Sequence, residues 1–162
     1  MSKMKELDEI LTVPDVIQGK MVLEGLFGEI RLRGLFRGKD ILSEDWYYGG
    51  LVQETPDRYF LVQAIIKEST LAYREVAEKT ICQCTGHYAS NGKGKIVPLF
   101  EGDIVSYPNE RDLGYGKIFW DKSKAKFYIR YERTSEIGKI DLVSSSESIV
   151  VGNIFDDKYL FS

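Results

Sequence analysis

The chain has 162 residues, of which 43% are hydrophobic and 12% aromatic, and its formal net charge is −3. This length and composition can bury a sizeable core, so we expect one folded domain and exclude a disordered protein. The nearly neutral charge gives no global attraction to nucleic acid or to an anionic membrane, although a local basic patch can still attract either.

The sequence also bears on the compartment. No apolar run is long enough to span a bilayer, and acidic residues occur close to Met1, where a signal peptide would need an apolar stretch. We therefore expect a cytoplasmic protein with no membrane partner. In that compartment Cys82 and Cys84 are expected to be thiols rather than parts of a disulfide framework.

Residues 1–28 predict a helical arm. Ser2 can cap a short helix, and Pro14 would end it because a proline disfavours the helical conformation of the preceding residue. Apolar residues recur at helical spacing between these two points, at Met4, Leu7, Ile10 and Leu11. We expect this helix to cover its own domain, with oligomerisation or partner docking as the alternative.

From Glu29 onward the hydrophobic period changes from helical to alternating, which predicts a first β lobe. The apolar run at residues 59–66 is expected to be its central strand, buried on both faces. Gly49-Gly50 is interpreted as a bulge or a tight bend. Residues 71–78 are compatible with a helix or an edge strand, and a strand followed by a turn near residue 78 is preferred. Further strands of this lobe are predicted at 29–37 and 46–48.

The second half of the chain is punctuated by turn residues. The loop at residues 90–95 is expected to be exposed, and residues 121–125 should form the turn of a hairpin. Five short strands after Phe100 suggest a small SH3-like β-barrel. They are predicted at 104–107, 117–120, 126–131, 139–143 and 148–155.

The predicted fold is therefore α+β and mainly β. It consists of the N-terminal helical arm at residues 1–28, a first antiparallel β lobe at about 29–95, and the small barrel at about 96–162.

Four pieces of sequence follow one another in a fixed order: Gln83-Cys84-Thr85-Gly86, Asn91-Gly92-Lys93, Phe100-Glu101-Gly102-Asp103-Ile104-Val105 and Val151-Gly152-Asn153-Ile154-Phe155. With the charged opening at residues 29–36, they resemble the YopX family of phage and prophage proteins over residues 29 to 160. Cys84 stands where that family has an aromatic residue, and the loop at 89–98 is longer. The resemblance implies a phage or prophage origin, a β-rich α+β fold, the cytoplasm of a bacterial host and self-association. It supplies no functional residue.

Cys82, Cys84 and His87 form a Cys-x-Cys-x-x-His pattern, which raises the question of a zinc site. Zinc usually takes four protein ligands in a structural site, and the chain has no further cysteine or histidine to complete the set. We therefore expect both thiols to pack as small apolar side chains and His87 to lie in a loop.

The sequence offers no enzyme motif. His87 with Asp103 could activate a nucleophile, but no Gly-x-Ser-x-Gly motif accompanies them. Glu101 and Asp103 are expected to cap backbone amides in a turn and to stay solvated. The Gly-x-Gly pieces at 92–94 and 114–116 lack the continuation of a phosphate loop. We expect no catalytic residue, no cofactor and no metal.

The strongest candidate for a binding surface is the hairpin at residues 117–133, where cations and aromatic residues interleave. Such a surface can hold a nucleic-acid backbone and stack its bases. In the alternative interpretation the aromatic residues point inward and the lysines outward, as in any solvated hairpin. The candidate residues for binding nucleic acid or a partner are Lys117, Trp120, Lys122, Lys124, Lys126, Tyr128, Arg130 and Arg133.

From these observations we expect a non-enzymatic phage or prophage accessory protein that acts by self-assembly, as a homo-oligomer, or by binding a partner. The alternative is a nucleic-acid-binding module that uses the hairpin at 117–133.

Overall fold

The computed structural model describes residues 34–65, 70–107, 114–140 and 148–160. This part of the chain is mainly β, as predicted, and its helical elements are short 3₁₀ turns such as Glu78–Thr80. The predicted arm at residues 1–28 lies outside the described residues. No helix in the described ranges is long and apolar enough to cross a membrane.

The strands are β1 (Phe36–Lys39), β2 (Trp46–Thr55), β3 (Arg58–Ile65), β4 (Thr70–Val76), β5 (Cys82–Ser90), β6 (Ile96–Phe100), β7 (Asp103–Ser106), β8 (Tyr115–Asp121), β9 (Lys126–Tyr131), β10 (Ile137–Lys139) and β11 (Ile149–Asn153).

The chain divides into two compact units, Met1–Cys84 and Thr85–Ser162. The division falls inside β5, whereas the lobe boundary predicted from sequence falls later, near residue 95.

The first unit is an antiparallel arrangement in the order β5-β1-β2-β3-β4. An isolated bridge between Asp40 and Val76 also joins the end of β1 to the end of β4. The core of this unit consists of Tyr47, Leu61 and Val76, all of them buried. These side chains lie on the inner face of the strands because alternate residues of a strand point to the same side.

The sequence predicts a bulge or a tight bend at Gly49-Gly50. The register of β2 shifts elsewhere, between Gln53 and Thr55. The two glycines instead mark the point at which β2 passes from pairing with β1 to pairing with β3. A Cβ at Gly49 would collide with the backbone carbonyl of Val62. Glycine is therefore required there by the close approach of a neighbouring backbone.

The expectation that β3 is buried on both faces is wrong. Leu61 on the inner face is 2% exposed, whereas Phe60 on the outer face is half-buried. Outer-face neighbours on β2 and β4 are open to solvent, with Val52 49% and Tyr73 67% exposed. The preferred strand at residues 71–78 is confirmed, because Thr70–Val76 forms β4 and a 3₁₀ turn follows it.

The second unit has the strand order β10-β9-β8-β7-β11-β5, with β6 also paired to β5. The predicted hairpin is confirmed as β8 and β9, and β11 adds a parallel pairing to β5 at Ile149 and Ser90 that the sequence did not predict. An SH3-like closure of this unit stays a prediction. Its buried core is formed by Ala89, Leu99, Val105, Ile118, Ile129, Tyr131 and Ile140.

Candidate nucleic-acid interface

The hairpin of β8 and β9 has a register that sorts its side chains by face. Residues directly opposite one another in an antiparallel pair lie on the same face, and alternate residues share that face. One face of the hairpin therefore carries three cross-strand pairs, namely Lys117 with Arg130, Phe119 with Tyr128, and Asp121 with Lys126.

The other face of the hairpin packs on the core. Ile118 and Ile129 lie opposite one another there and are 1% and 0% exposed. Trp120, which the sequence placed on the candidate binding surface, is on this core-side face, where its ring lies 4.7 Å from that of Phe127 between centroids. Trp120 therefore does not lie with Lys117, Tyr128 and Arg130.

Phe119 and Tyr128 lie on the face opposite to the core. Their ring centroids are 6.1 Å apart and the ring planes are inclined by 32°. The interpretation that places all the aromatic residues of the hairpin inside is wrong for these two. Both rings are half-buried, so a part of each is accessible to solvent.

Cations lie over both rings. The guanidinium carbon of Arg130 is 5.3 Å from the Phe119 ring centroid, and Lys124 Nζ is 5.1 Å from that of Tyr128. Both distances are within the range of a cation–π attraction. Lys124 belongs to the hairpin turn and also lies 3.9 Å from a carboxylate oxygen of Asp121.

Strand β10 widens the same surface. Its register places Ile137 opposite Arg130 and Lys139 opposite Tyr128, and both β10 side chains are exposed. The sequence analysis did not place Ile137 and Lys139 beside the hairpin, because the pairing of β10 with β9 is not a local property of the sequence. We call the combined surface the basic aromatic face. It consists of Lys117, Phe119, Asp121, Lys126, Tyr128, Arg130, Ile137 and Lys139.

The remaining predicted residues lie around this surface. Lys122 and Lys124 are in the exposed hairpin turn, and Arg133 follows β9, where its side chain passes close to Gly114. From residue 115 to residue 139 the sequence has seven lysines and arginines and three acidic residues. Hydrogen bonding from the Ser123 side chain lowers the pKa of Asp121, so this acid is ionised at neutral pH. The segment nevertheless keeps a clear excess of positive charge.

The three residues of the Cys-x-Cys-x-x-His pattern all lie in β5. Cys82 and Cys84 are buried in β5 and form no disulfide in the described part of the chain, and the Cys82 thiol lies 3.3 Å from the Thr80 carbonyl oxygen. His87 is in β5 rather than in the expected loop. Among the described residues, no group of three histidine, cysteine, aspartate or glutamate residues could hold a metal ion.

The acidic pair Glu101 and Asp103 belongs to a turn. Asp103 Oδ2 accepts the Phe100 N–H at 2.8 Å, which confirms the expected capping, but Asp103 is buried rather than solvated. Burial raises the pKa of Glu101, and a hydrogen bond from the Trp120 backbone and the charge of Lys122 offset part of that effect.

Two of the sequence pieces that carry the family resemblance contact one another, and the other two make hydrogen bonds nearby in the chain. Gly102, at φ +83°, accepts the Ile154 N–H at 2.9 Å, and a Cβ there would press on the Ile154 side chain. Thr85 Oγ1 donates to the Leu99 carbonyl at 3.0 Å. Asn91 Oδ1 accepts backbone N–H groups of its own loop. These pieces therefore hold turns and strands of the second unit together.

Strand order and surface define a β-sheet protein with a basic aromatic face. A family model described as YopX protein matches residues 35–161, which is most of the chain, so the chain belongs to the YopX family. A search of curated proteins finds no match.

Proposed function

We propose that this protein is a non-enzymatic accessory protein of a phage or prophage, that it acts in the cytoplasm of the host, and that it works by binding nucleic acid. The basic aromatic face is the proposed binding surface. The capping hydrogen bond of Asp103 and the burial of Cys82 and Cys84 support structural roles for these residues, and the family membership supports the phage or prophage origin. We also propose an SH3-like arrangement for residues 96–162, which the antiparallel succession β7-β8-β9-β10 supports.

The single observation that carries this proposal is the shared face of Phe119, Tyr128 and their cations. A core-packed hairpin that needed only solubility would place its large aromatic rings inward and its charges outward. Here two rings and the charges of Lys117, Arg130 and Lys139 lie together. Nucleic acid offers both the negative phosphates and the flat bases that such a surface can bind.

The test compares binding of a fluorescent oligonucleotide at several salt concentrations. We expect wild-type binding to weaken steeply with salt, because binding to phosphates releases counterions. The double variant Arg130→Glu with Lys139→Glu should no longer bind the oligonucleotide. The matched control Lys93→Glu with Lys158→Glu makes the same change in net charge at exposed positions off the face and should still bind it. Equal losses in both variants would contradict the proposed surface.

Self-association is a second candidate, and a different surface favours it. The outer face of β2, β3 and β4 exposes Val52 and Tyr73 and contains the ring of Phe60, which meets Tyr73 edge-on at 6.1 Å. Arg58 at its rim pairs with Glu54 at 2.9 Å and Glu75 at 3.0 Å. An aromatic surface with no excess of positive charge suits a second copy of the chain better than a polyanion.

A further inference from the structure

The basic aromatic face has an internal order. Because residues opposite one another across strands share a row, β8, β9 and β10 together form parallel rows of side chains. The first row is Lys117, Arg130 and Ile137, the second is Phe119, Tyr128 and Lys139, and the third is Asp121 and Lys126.

We propose that this face binds a single-stranded nucleic acid, with successive bases stacked on Phe119 and Tyr128 and the phosphates on the side of Lys117 and Arg130. This inference rests on the proposed function and adds to it the strandedness of the ligand and the direction of its backbone.

The aromatic row favours a single strand over a duplex. In a duplex the faces of every internal base are covered by its neighbours, so a ring on a sheet has no base face to stack on. Unpaired bases can be splayed apart and stacked on aromatic residues of adjacent strands. Phe119 and Tyr128 are on adjacent strands with centroids 6.1 Å apart, so each ring can take its own base.

The cations over the rings are compatible with this stacking. Arg130 is exposed, and the Lys124 side chain is 60% exposed, so both are long side chains that can move. A guanidinium plane itself stacks on a base, so a base can lie on Arg130 or displace it toward the adjoining phosphate. Lys124 Nζ lies 3.9 Å from Asp121, so it can turn from Tyr128 toward that carboxylate and uncover the ring.

The charges on either side of the aromatic row set the position of the backbone. Lys117 and Arg130 are directly opposite one another, so two cationic side chains stand side by side in the first row, and both can contact the phosphates of a bound strand. On the other side of the row stands Asp121, which repels phosphate and lies opposite Lys126. The first row thus has two cations and no acid, whereas the third has one cation and one acid, which favours phosphates at the first row.

The experiment measures anisotropy of three labelled probes with the full chain: oligo-dT, oligo-U and a blunt mixed-sequence duplex, each about 12 residues long per strand. At least one single strand should bind about 10-fold or more tightly than the duplex. Tighter binding of oligo-dT identifies DNA as the preferred ligand, and tighter binding of oligo-U identifies RNA. Either preference supports the inference.

Ring and charge variants then test the arrangement. Phe119→Ala and Tyr128→Ala should each weaken single-strand binding by about 5- to 150-fold, while Tyr128→Phe, which keeps the ring, should bind normally. Arg130→Ala should lower the slope of log affinity against log salt by about 0.7, the value of one phosphate contact. Lys93→Ala, which removes one exposed charge off the face, should leave the slope unchanged.

The outcomes separate this inference from the proposed function. Equal affinity for duplex and single strand, together with unaffected ring variants, would overturn the single-strand inference and leave nucleic-acid binding in place. Absence of binding to all three probes at low salt would overturn both. Thermal unfolding checks each variant, and Phe119→Leu and Tyr128→Leu, which keep apolar volume without the flat ring, replace any alanine variant that does not fold.

Discussion

Phe119 and Tyr128 lie opposite one another across β8 and β9, with ring centroids 6.1 Å apart, on the face turned away from the core. The residue before Phe119, Ile118, points to the other face of the hairpin, where it is 1% exposed and packs in the core. The core of this unit thus does not account for the placement of the two rings. Their accessibility beside Arg130 and Lys139 is the feature on which the functional proposal depends.

The close approach at Gly49 gives a prediction about stability. Alanine at this position would force its Cβ against the Val62 carbonyl, and such overpacking costs about 1–3 kcal/mol. Gly50→Ala is the matched control, because its Cβ would lie 4.0 Å from the same oxygen, an ordinary contact. In urea unfolding followed by tryptophan fluorescence, we expect Gly49→Ala alone to lower the midpoint clearly. Similar midpoints for the two variants would show that the close approach of the Val62 backbone does not require glycine at position 49.

A second prediction concerns the buried cap at Asp103. Asp103→Ala leaves the buried Phe100 N–H without its carboxylate acceptor, which should cost about 1–3 kcal/mol. Hydrogen exchange of the Phe100 amide should accelerate in this variant. Asp156→Ala, which removes an acid at an exposed turn, should leave that amide protected. The capping role would be refuted by unchanged Phe100 protection in Asp103→Ala.

The pKa of Glu101 leads to a pH-dependent prediction. Burial raises this pKa in the folded protein, so the native state holds the proton more tightly than the unfolded state. The resulting stabilisation is present at pH values below the pKa that Glu101 has in the unfolded chain. It is lost as the pH rises through the higher pKa that Glu101 has in the folded protein.

Glu101→Gln removes the ionisation and keeps an oxygen that can accept the Trp120 N–H. We therefore expect this variant to melt at a higher temperature than wild type at about pH 7, and to differ little at about pH 3.5, below the ordinary glutamate pKa of about 4.3. A difference in melting temperature that is the same at both pH values would contradict the assignment.

Self-association through the first unit can be tested with matched tyrosines. Tyr73 is 67% exposed on the outer face of β2, β3 and β4, and Tyr159 is 79% exposed elsewhere in the chain. If copies associate through this face, light scattering should show wild type and Tyr159→Glu as oligomers and Tyr73→Glu as a monomer, since a charge at Tyr73 would be buried without a partner. A monomeric wild type at high concentration would remove this candidate.

Local sequence patterns were sufficient for much of the fold. Alternation predicted the strands of the hairpin, and the polar stretch at 121–125 predicted its turn. Both are properties of short segments, as is the strand at Thr70–Val76. The exposure of the outer face of β3 was missed, because a continuous apolar run does not say what covers each of its faces.

The sequence predicted the hairpin that carries the candidate surface, but it grouped Trp120 with Lys117 and Tyr128, whereas the structure places Trp120 on the core-side face and Phe119 on the opposite one. Which face of a hairpin packs on the core depends on distant strands, and a shift by one residue exchanges the two faces. Ile137 and Lys139 were missed for a related reason, since their position beside Arg130 and Tyr128 depends on the pairing of β10 with β9.

Photo-crosslinking tests the central claim most directly. An oligo-dT in which single thymines are replaced by 5-iodouracil is bound to the full chain at low salt and irradiated, and the crosslinked peptides are identified by mass spectrometry. A base stacked on an aromatic ring is held in contact with it. We expect crosslinks at Phe119 and Tyr128, and their loss when the salt concentration is raised. Crosslinks that fall only outside residues 115–139 would contradict the account.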